Sequence, residues 1–210
     1  MYNPPHFAES RPEELHRILQ AHPLGMLCTH GPEGLDANHL PFLFDAEAGP
    51  LGTLRGHVAR ANPLWHTQAE GSEVLVVFRG AEGYISPSWY PSKHETHRAV
   101  PTWNYEVLHA HGTLHIHDDE KFVRGVVARL TRTHEAREAA PWKMGDAPPD
   151  FLGQLLAAIV GIEVRITRLE GKRKLSQNRS AADMHGAIDA LRERQHPDLA
   201  QAMAAPGLQR

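Results

Sequence analysis

The sequence predicts an α+β fold, mainly β: a small closed barrel with helices packed outside it. Three observations carry this. About six apolar or alternating segments of strand length are separated by turn residues. Short amphipathic stretches with helix-capping residues lie between them. A chain of 210 residues is long enough for one well-buried domain and short for two. Closure of such a sheet removes exposed strand edges.

The elements follow in order. Ser10, Pro12 and Glu13 form a capping-box pattern. A helix is therefore expected over 12–21, with Leu15, Ile18 and Leu19 inward and Pro23 beyond its end. Residues 24–29 read as a strand and 30–34 as a turn. Residues 36–44 read as a second strand, in which Pro41 marks an edge or a bulge. A third strand over 51–58 completes an antiparallel meander. Asn62 and Pro63 open a short helix. Residues 73–80 are a strongly apolar strand and 84–86 a short one. Residues 102–117 alternate for long enough to form a bent barrel strand. A helix is expected over 118–135, with Asp118 as cap and Phe122, Val126, Val127 and Leu130 inward. A loop over 141–149 and a short helix over 151–158 precede a strand over 159–169. The last helix is expected over 180–193. Residues 1–195 thus read as a single domain and 196–210 as a flexible tail.

Composition narrows the function. The formal charge is −3, so no bulk basic field draws the chain to DNA or to a membrane surface. The single cysteine, Cys28, cannot form an internal disulfide, which fits a reducing compartment. No apolar run approaches the ~20 residues that span a bilayer. The opening MYNPPHFAES is polar and proline-bearing rather than a secretory signal. A cytoplasmic location without membrane association is expected.

Four constellations are candidates for chemistry. The stretch YISPSWYPSKHETHRAVPTWNY carries Tyr84, Trp89, Tyr90, Trp103 and Tyr105 among three prolines, with Lys93 at its middle. Flat rings on a stiff loop can stack on a planar ligand, and a nearby cation suits its phosphate. The same rings can instead plug a barrel end or a subunit interface. In RGHVARANP, Arg55, His57 and Arg60 lead toward a helix N-terminus, an arrangement that favours anions. In GKRKLSQNR, Ser176, Gln177 and Asn178 offer hydrogen-bonding groups among Lys172, Arg173, Lys174 and Arg179. That segment also reads as a basic surface turn with a helix cap. In HAHGTLHIH, His109, His111, Thr113, His115 and His117 share one strand face. Two such histidines can share a metal. No nearby residue completes a ligand set, so no metal site is assigned. Arg124, Arg129, Arg132 and Arg137 on the 118–135 helix read as a solvated face rather than a nucleic-acid contact.

Together MYNPPHF, GHVARANPLW, YISPSWYPSK, VPTWNY and KLSQNR resemble the PaiB family, FMN-binding negative transcriptional regulators. The resemblance runs from Met1 to about the last helix. It implies a split β-barrel of the pyridoxamine-phosphate-oxidase kind, with FMN held at the interface of a homodimer. It also implies a regulatory role, with DNA or a regulatory protein as a further partner. On that reading the phosphate lies near Arg55, His57, Arg60 and Lys93. The ring lies near Trp89, Trp103, Asn104 and Tyr105, with Ser176, Gln177 and Asn178 reaching it. A flavin-dependent redox protein is the companion expectation. Related split barrels handle haem, so a haem or metal protein using His109, His111, His115 and His117 is the alternative.

Overall fold

The computed structural model describes residues 1–205. Eight strands form one sheet: β1 (Ala8–Glu9), β2 (Leu24–Gly31), β3 (Gly34–Pro41), β4 (Leu43–Asp45), β5 (Thr53–Ala59), β6 (Glu73–Ile85), β7 (Thr102–His117) and β8 (Ile159–Lys174). Seven α-helices accompany them: α1 (Pro12–Ala21), α2 (Leu64–Thr67), α3 (Pro91–Thr96), α4 (Glu120–Glu135), α5 (Pro149–Ala157), α6 (Ala181–Glu193) and α7 (Pro197–Ala204). The strands hydrogen-bond in the order β3-β2-β6-β7-β8-β5-β4, and β1 pairs with β8. The pairings with resolved register are antiparallel.

Internal contacts divide the chain, read from sequence as one domain, into two compact units. The first holds Met1–Ile18, Arg79–Leu108 and the residues from Glu170 onward; the second holds Leu19–Phe78 and His109–Leu169. Strands β6, β7 and β8 contribute residues to both.

In place of the predicted meander, the second unit holds two strand pairs, β2 with β3 and β4 with β5, at opposite ends of the strand order. Strands β2 and β3 run from Leu24↔Pro41 to Gly31↔Gly34. Gly34 takes φ +104 at the tight turn, where a side chain is strained. The predicted strand 36–44 is broken at Phe42. Pro41 has no N–H to donate, and Phe42, buried, turns its own N–H to the Pro23 carbonyl at 2.8 Å. Strand β5 pairs with β8, setting Arg55 opposite Glu163 and His57 opposite Gly161. Helix α4 buries Val123, Val126 and Leu130. Its cap is Asp119 rather than Asp118, the Asp119 carboxylate accepting from Phe122 N at 2.8 Å.

In the first unit, β1 lies against β8 with Glu9 opposite Gly171. A Cβ on Gly171 would collide with Leu15, so only glycine lets α1 approach this closely. The expected strands 73–80 and 84–86 are one continuous β6. Gly83, within it, is buried, and its missing Cβ makes room for Leu199. The aromatic stretch after β6 is folded rather than open. Ser86 caps a 3-10 turn over Pro87–Trp89, and α3 follows, ended by His97 at φ +54. Strand β8 continues to Lys174, absorbing half of the segment read as a basic turn. The last helix expected over 180–193 is α6, capped by Ser180, whose side chain accepts from Asp183 N.

The expectation of a loose tail fails over 197–204. Helix α7 buries Leu199, Ala200, Ala202 and Met203 in a core with Ile85, Tyr90, Leu175, Met184 and Leu191. The alternation of alanine and glutamine in DLAQAMA masks a narrow apolar face. Residues 206–210 of the expected tail lie outside the described residues. Leu199→Ala and Met203→Ala are each expected to cost about 2–5 kcal/mol, measured as a lower urea midpoint with unchanged slope. A loose tail would show less than about 0.5 kcal/mol for either.

Candidate functional site

Of the residues expected to hold a flavin ring, several meet in the first unit. Tyr84 sits edge-on to both Trp89 and Trp103, each centroid 6.4 Å away. Tyr84 and Trp103 are half exposed, at 47% and 50%. Arg194 covers Trp89 at 5.0 Å. Asn104 is buried, and its Nδ2 donates to Ser176 Oγ at 2.9 Å. Ser176 is held at φ +67. Asn104 Oδ1 is buried without a partner. Tyr105 lies under the Lys172 ammonium, 5.5 Å from its ring.

Gln177 folds back on its own turn: its Oε1 accepts from Leu175 N at 2.7 Å and its Nε2 donates to the Arg173 carbonyl. Asn178 is exposed. Lys93 is half-buried on α3, and neither it nor Arg98 forms an ion pair among the described residues. Lys174 donates to Thr102 Oγ1 and to the Trp103 carbonyl. Burial first, and then repulsion from Lys172 and Arg179, pull its pKa below the usual lysine value.

The three residues expected near the phosphate in RGHVARANP belong to the second unit and engage different partners. Arg55 donates Nη1 to Asp45 at 2.6 Å and Nε to Glu163 at 2.9 Å. Arg60 forks onto Asp118 at 2.6 and 3.0 Å and donates to the carbonyls of Ala157 and Ile159. His57 is half-buried, its Nδ1 has no partner, and burial pushes its pKa down. The expected helix N-terminus is a single turn, α2, and Asn62 Oδ1 already accepts from Leu64 N at 2.9 Å.

The histidine strand is half-buried and structured. His115 bonds Glu70 through Nδ1 and Thr113 Oγ1 through Nε2, the latter at 3.1 Å. His117 stacks on Phe122 at 3.9 Å and 9°. The rings of His109 and His111 lie 6.3 Å apart.

Sequence reasoning missed an ionic cluster in the first unit. Arg173, read as part of a surface turn, is 2% exposed. It donates Nε to Glu106 at 2.7 Å, and its Nη1 pairs with Glu14 at 3.1 Å and Glu9 at 3.4 Å. Arg17 reaches the same Glu106 at 2.6 Å. Burial alone would raise the Glu9 pKa. The Arg11 fork at 2.6–2.9 Å, helped by Arg173, holds it at about 2. A signal was available: Asn104 and Glu106 occupy the same strand phase as Leu108, Ala110 and Leu114, which is the buried face.

This order of antiparallel strands with peripheral helices is that of the flavin-binding split β-barrel, α+β and mainly β. A FAD- and heme-binding protein from Mycobacterium smegmatis shares the fold, with a TM-score of 0.58 at 18% identity, over 80% of this chain and 73% of that one. The family model described as "Putative FMN-binding domain" matches residues 1–168, and the chain belongs to that family. It is 34% identical to an uncharacterized protein of Emericella nidulans, over 88% of this chain and 87% of that protein. It is 30% identical to the Bacillus subtilis "Protease synthase and sporulation protein PAI 2", over 96% of this chain and 94% of that protein. FMN is the cofactor this family membership assigns. No helix among the described residues is long and apolar enough to cross a membrane.

Glu106→Gln removes the carboxylate shared by Arg17 and Arg173. Leaving a buried guanidinium short of its counter-charge is expected to cost about 3–5 kcal/mol, read from urea unfolding. A loss under about 1 kcal/mol would mean that Glu9 and Glu14 suffice to answer that charge. The Glu9 pKa is lowered from 4.5 to about 2. Its contribution to stability is therefore full above about pH 4.5 and is lost as the pH falls toward 2. Glu9→Gln should flatten the acid limb of a stability–pH curve over that window and leave its alkaline limb unchanged.

Proposed function

We propose that this protein is an FMN-binding homodimer that uses the flavin for redox chemistry. The observation that carries this reading is the family match over residues 1–168. The first unit fits a flavin. Tyr84 and Trp103 expose aromatic surface at a pre-shaped segment, and the unpaired cations Lys93 and Arg98 lie on the same stretch of chain. Bound FMN would supply hydride or single-electron transfer. The residues expected to meet its ring are Trp89, Trp103, Asn104 and Tyr105, with Ser176, Gln177 and Asn178 supporting them. Lys93, in the same unit, is the residue expected to meet its phosphate. The dimer completes the site by bringing a second copy of these surfaces to it.

A second reading makes the flavin a signal that regulates gene expression through DNA or a protein partner. It rests on the likeness to the Bacillus subtilis protein named for protease synthesis and sporulation. A haem or metal protein that uses His115 and His117 is less favoured. His115 is already bonded on both ring nitrogens and His117 lies flat on Phe122.

Titration with FMN and with riboflavin, followed by flavin fluorescence, tests the proposal. FMN is expected to bind much more tightly than riboflavin. Trp103→Ala should weaken both flavins by about tenfold, the magnitude of one lost aromatic contact. Lys93→Ala should weaken FMN alone. Sedimentation velocity should give a dimer. Reduction of the bound FMN by NADH or NADPH supports the redox reading. Inert flavin, with flavin-dependent retardation of upstream DNA, supports the signalling one. Failure of both flavins to bind refutes the cofactor assignment.

A further inference from the structure

The second unit holds an open groove of about 890 Å³ bordered by α4, β5, β8 and the end of β7. Its walls are strongly cationic. Arg55, Lys121, Arg129, Arg132 and Arg165 line it, against the carboxylates of Asp119 and Glu163. Asp119 is engaged as the cap of α4. Glu163 is shared by Arg55 at 2.9 Å and Arg165 at 3.0 Å. Asp45 is shared by Arg55 at 2.6 Å and Arg129 at 3.1 Å.

Two carboxylates thus aim three guanidinium groups. Each guanidinium has five N–H donors and gives one or two of them to these carboxylates. Among the described residues the rest of each fork is unspent. Lys121 and Arg132 form no ion pair among the described residues. The ring of His117 also lines the groove, and its Nε2 is buried without a partner.

Helix α4 adds an independent sign. Gly125 sits in its middle, where glycine is among the poorest helix formers. No neighbour requires it: a Cβ at this position would meet nothing within 4 Å. The space it leaves belongs to the groove.

We propose that this groove binds a phosphate-bearing small molecule carrying at least two negative charges. Planar guanidinium forks match phosphate oxygens. The volume lies in the range of small-molecule sites. On this reading the carboxylates of Asp45 and Glu163 hold the forks in position, and Lys121, Arg132 and the remaining guanidinium donors meet the anion. The phosphate can belong to FMN or to a separate phosphorylated ligand.

Calorimetric titration with pyrophosphate at fixed ionic strength decides the matter, with flavin binding followed separately by fluorescence. Wild-type protein is expected to bind pyrophosphate at one site. Lys121→Ala and Arg132→Ala should each weaken it by about tenfold. Gly125→Met should block it while keeping or raising the melting temperature, since methionine is a better helix former than glycine. Absence of binding to wild-type protein, or equal affinity in all three variants, overturns the proposal. In protein that binds FMN, displacement of pyrophosphate by FMN but not by riboflavin identifies the flavin phosphate as the occupant. Pyrophosphate binding unchanged by FMN identifies a separate ligand. If no flavin binds, the cofactor assignment fails and the pyrophosphate titration still decides the groove.

Discussion

A guanidinium almost wholly removed from water has to be answered by carboxylates, and the first unit is arranged around one such demand. Arg173 on β8 is met by Glu106 on β7, Glu9 on β1 and Glu14 on α1. Its Nη2 also approaches the Ala202 carbonyl of α7 at 3.5 Å. Five elements distant in sequence therefore share one charge. Replacing such a network as a whole by apolar groups can be neutral, because desolvating ions costs nearly as much as pairing them returns. Removing one member is different, since the remaining charge stays buried. The cluster therefore constrains which strand, helix and register can coexist more than it adds net stability. Gly171 serves the same end: the closeness of α1 to β8 that brings Glu14 to Arg173 also excludes any side chain there.

The second unit uses ionic groups differently. Its arginines are half exposed and share carboxylates rather than sinking into a core. Burial would raise Asp45 and Glu163, but neighbouring guanidinium groups hold both below the ordinary carboxylate range. They stay ionised across the physiological range and keep the forks oriented. Arg60 and Asp118 are fully at the surface, and their bidentate geometry adds position more than energy. The contrast is between a charge network that specifies a fold and one that leaves donors unspent.

What was legible in the sequence follows from which interactions are local. Caps and periodicity announced α1 and α4 because those signals act within a few residues. Pro41 announced the interruption between β3 and β4 for the same reason. The misses are long-range. Strand β6 was read as two pieces, 73–80 and 84–86, because the requirement for Gly83, room for Leu199, comes from a helix more than a hundred positions later. Helix α7 was missed because its apolar face is built from alanine, leucine and methionine spaced among polar residues. Arg173 looked like a surface cation because its partners are scattered from Glu9 to Glu106. Of the candidate site residues, aromatic character was readable in Tyr84, Trp89 and Trp103. The pairing of Asn104 with Ser176 was not, since 72 positions separate them.

The aromatic segment shows how rigidity and exposure are reconciled. Its rear is fixed. Tyr90 is fully buried in the core with α6 and α7. Ser92 N and Oγ donate to the buried Asp183 carboxylate at 3.0 and 2.7 Å. Gly186 lets α6 approach so closely that a Cβ would collide with the Trp89 carbonyl. Burial would raise the Asp183 pKa, and the Ser92 hydrogen bonds keep it low, so this anchor stays ionised above the acid range. None of these restraints occupies the outward surface of Tyr84 or Trp103. Rings left exposed without a restraint would collapse onto the nearest apolar surface, because leaving them in water is unfavourable. Here the backbone behind them is held by a helix, a carboxylate and a buried tyrosine, so their outward faces stay available. A planar ligand arriving at such a surface meets rings already in place, and the entropy of ordering them has been lost during folding rather than during binding.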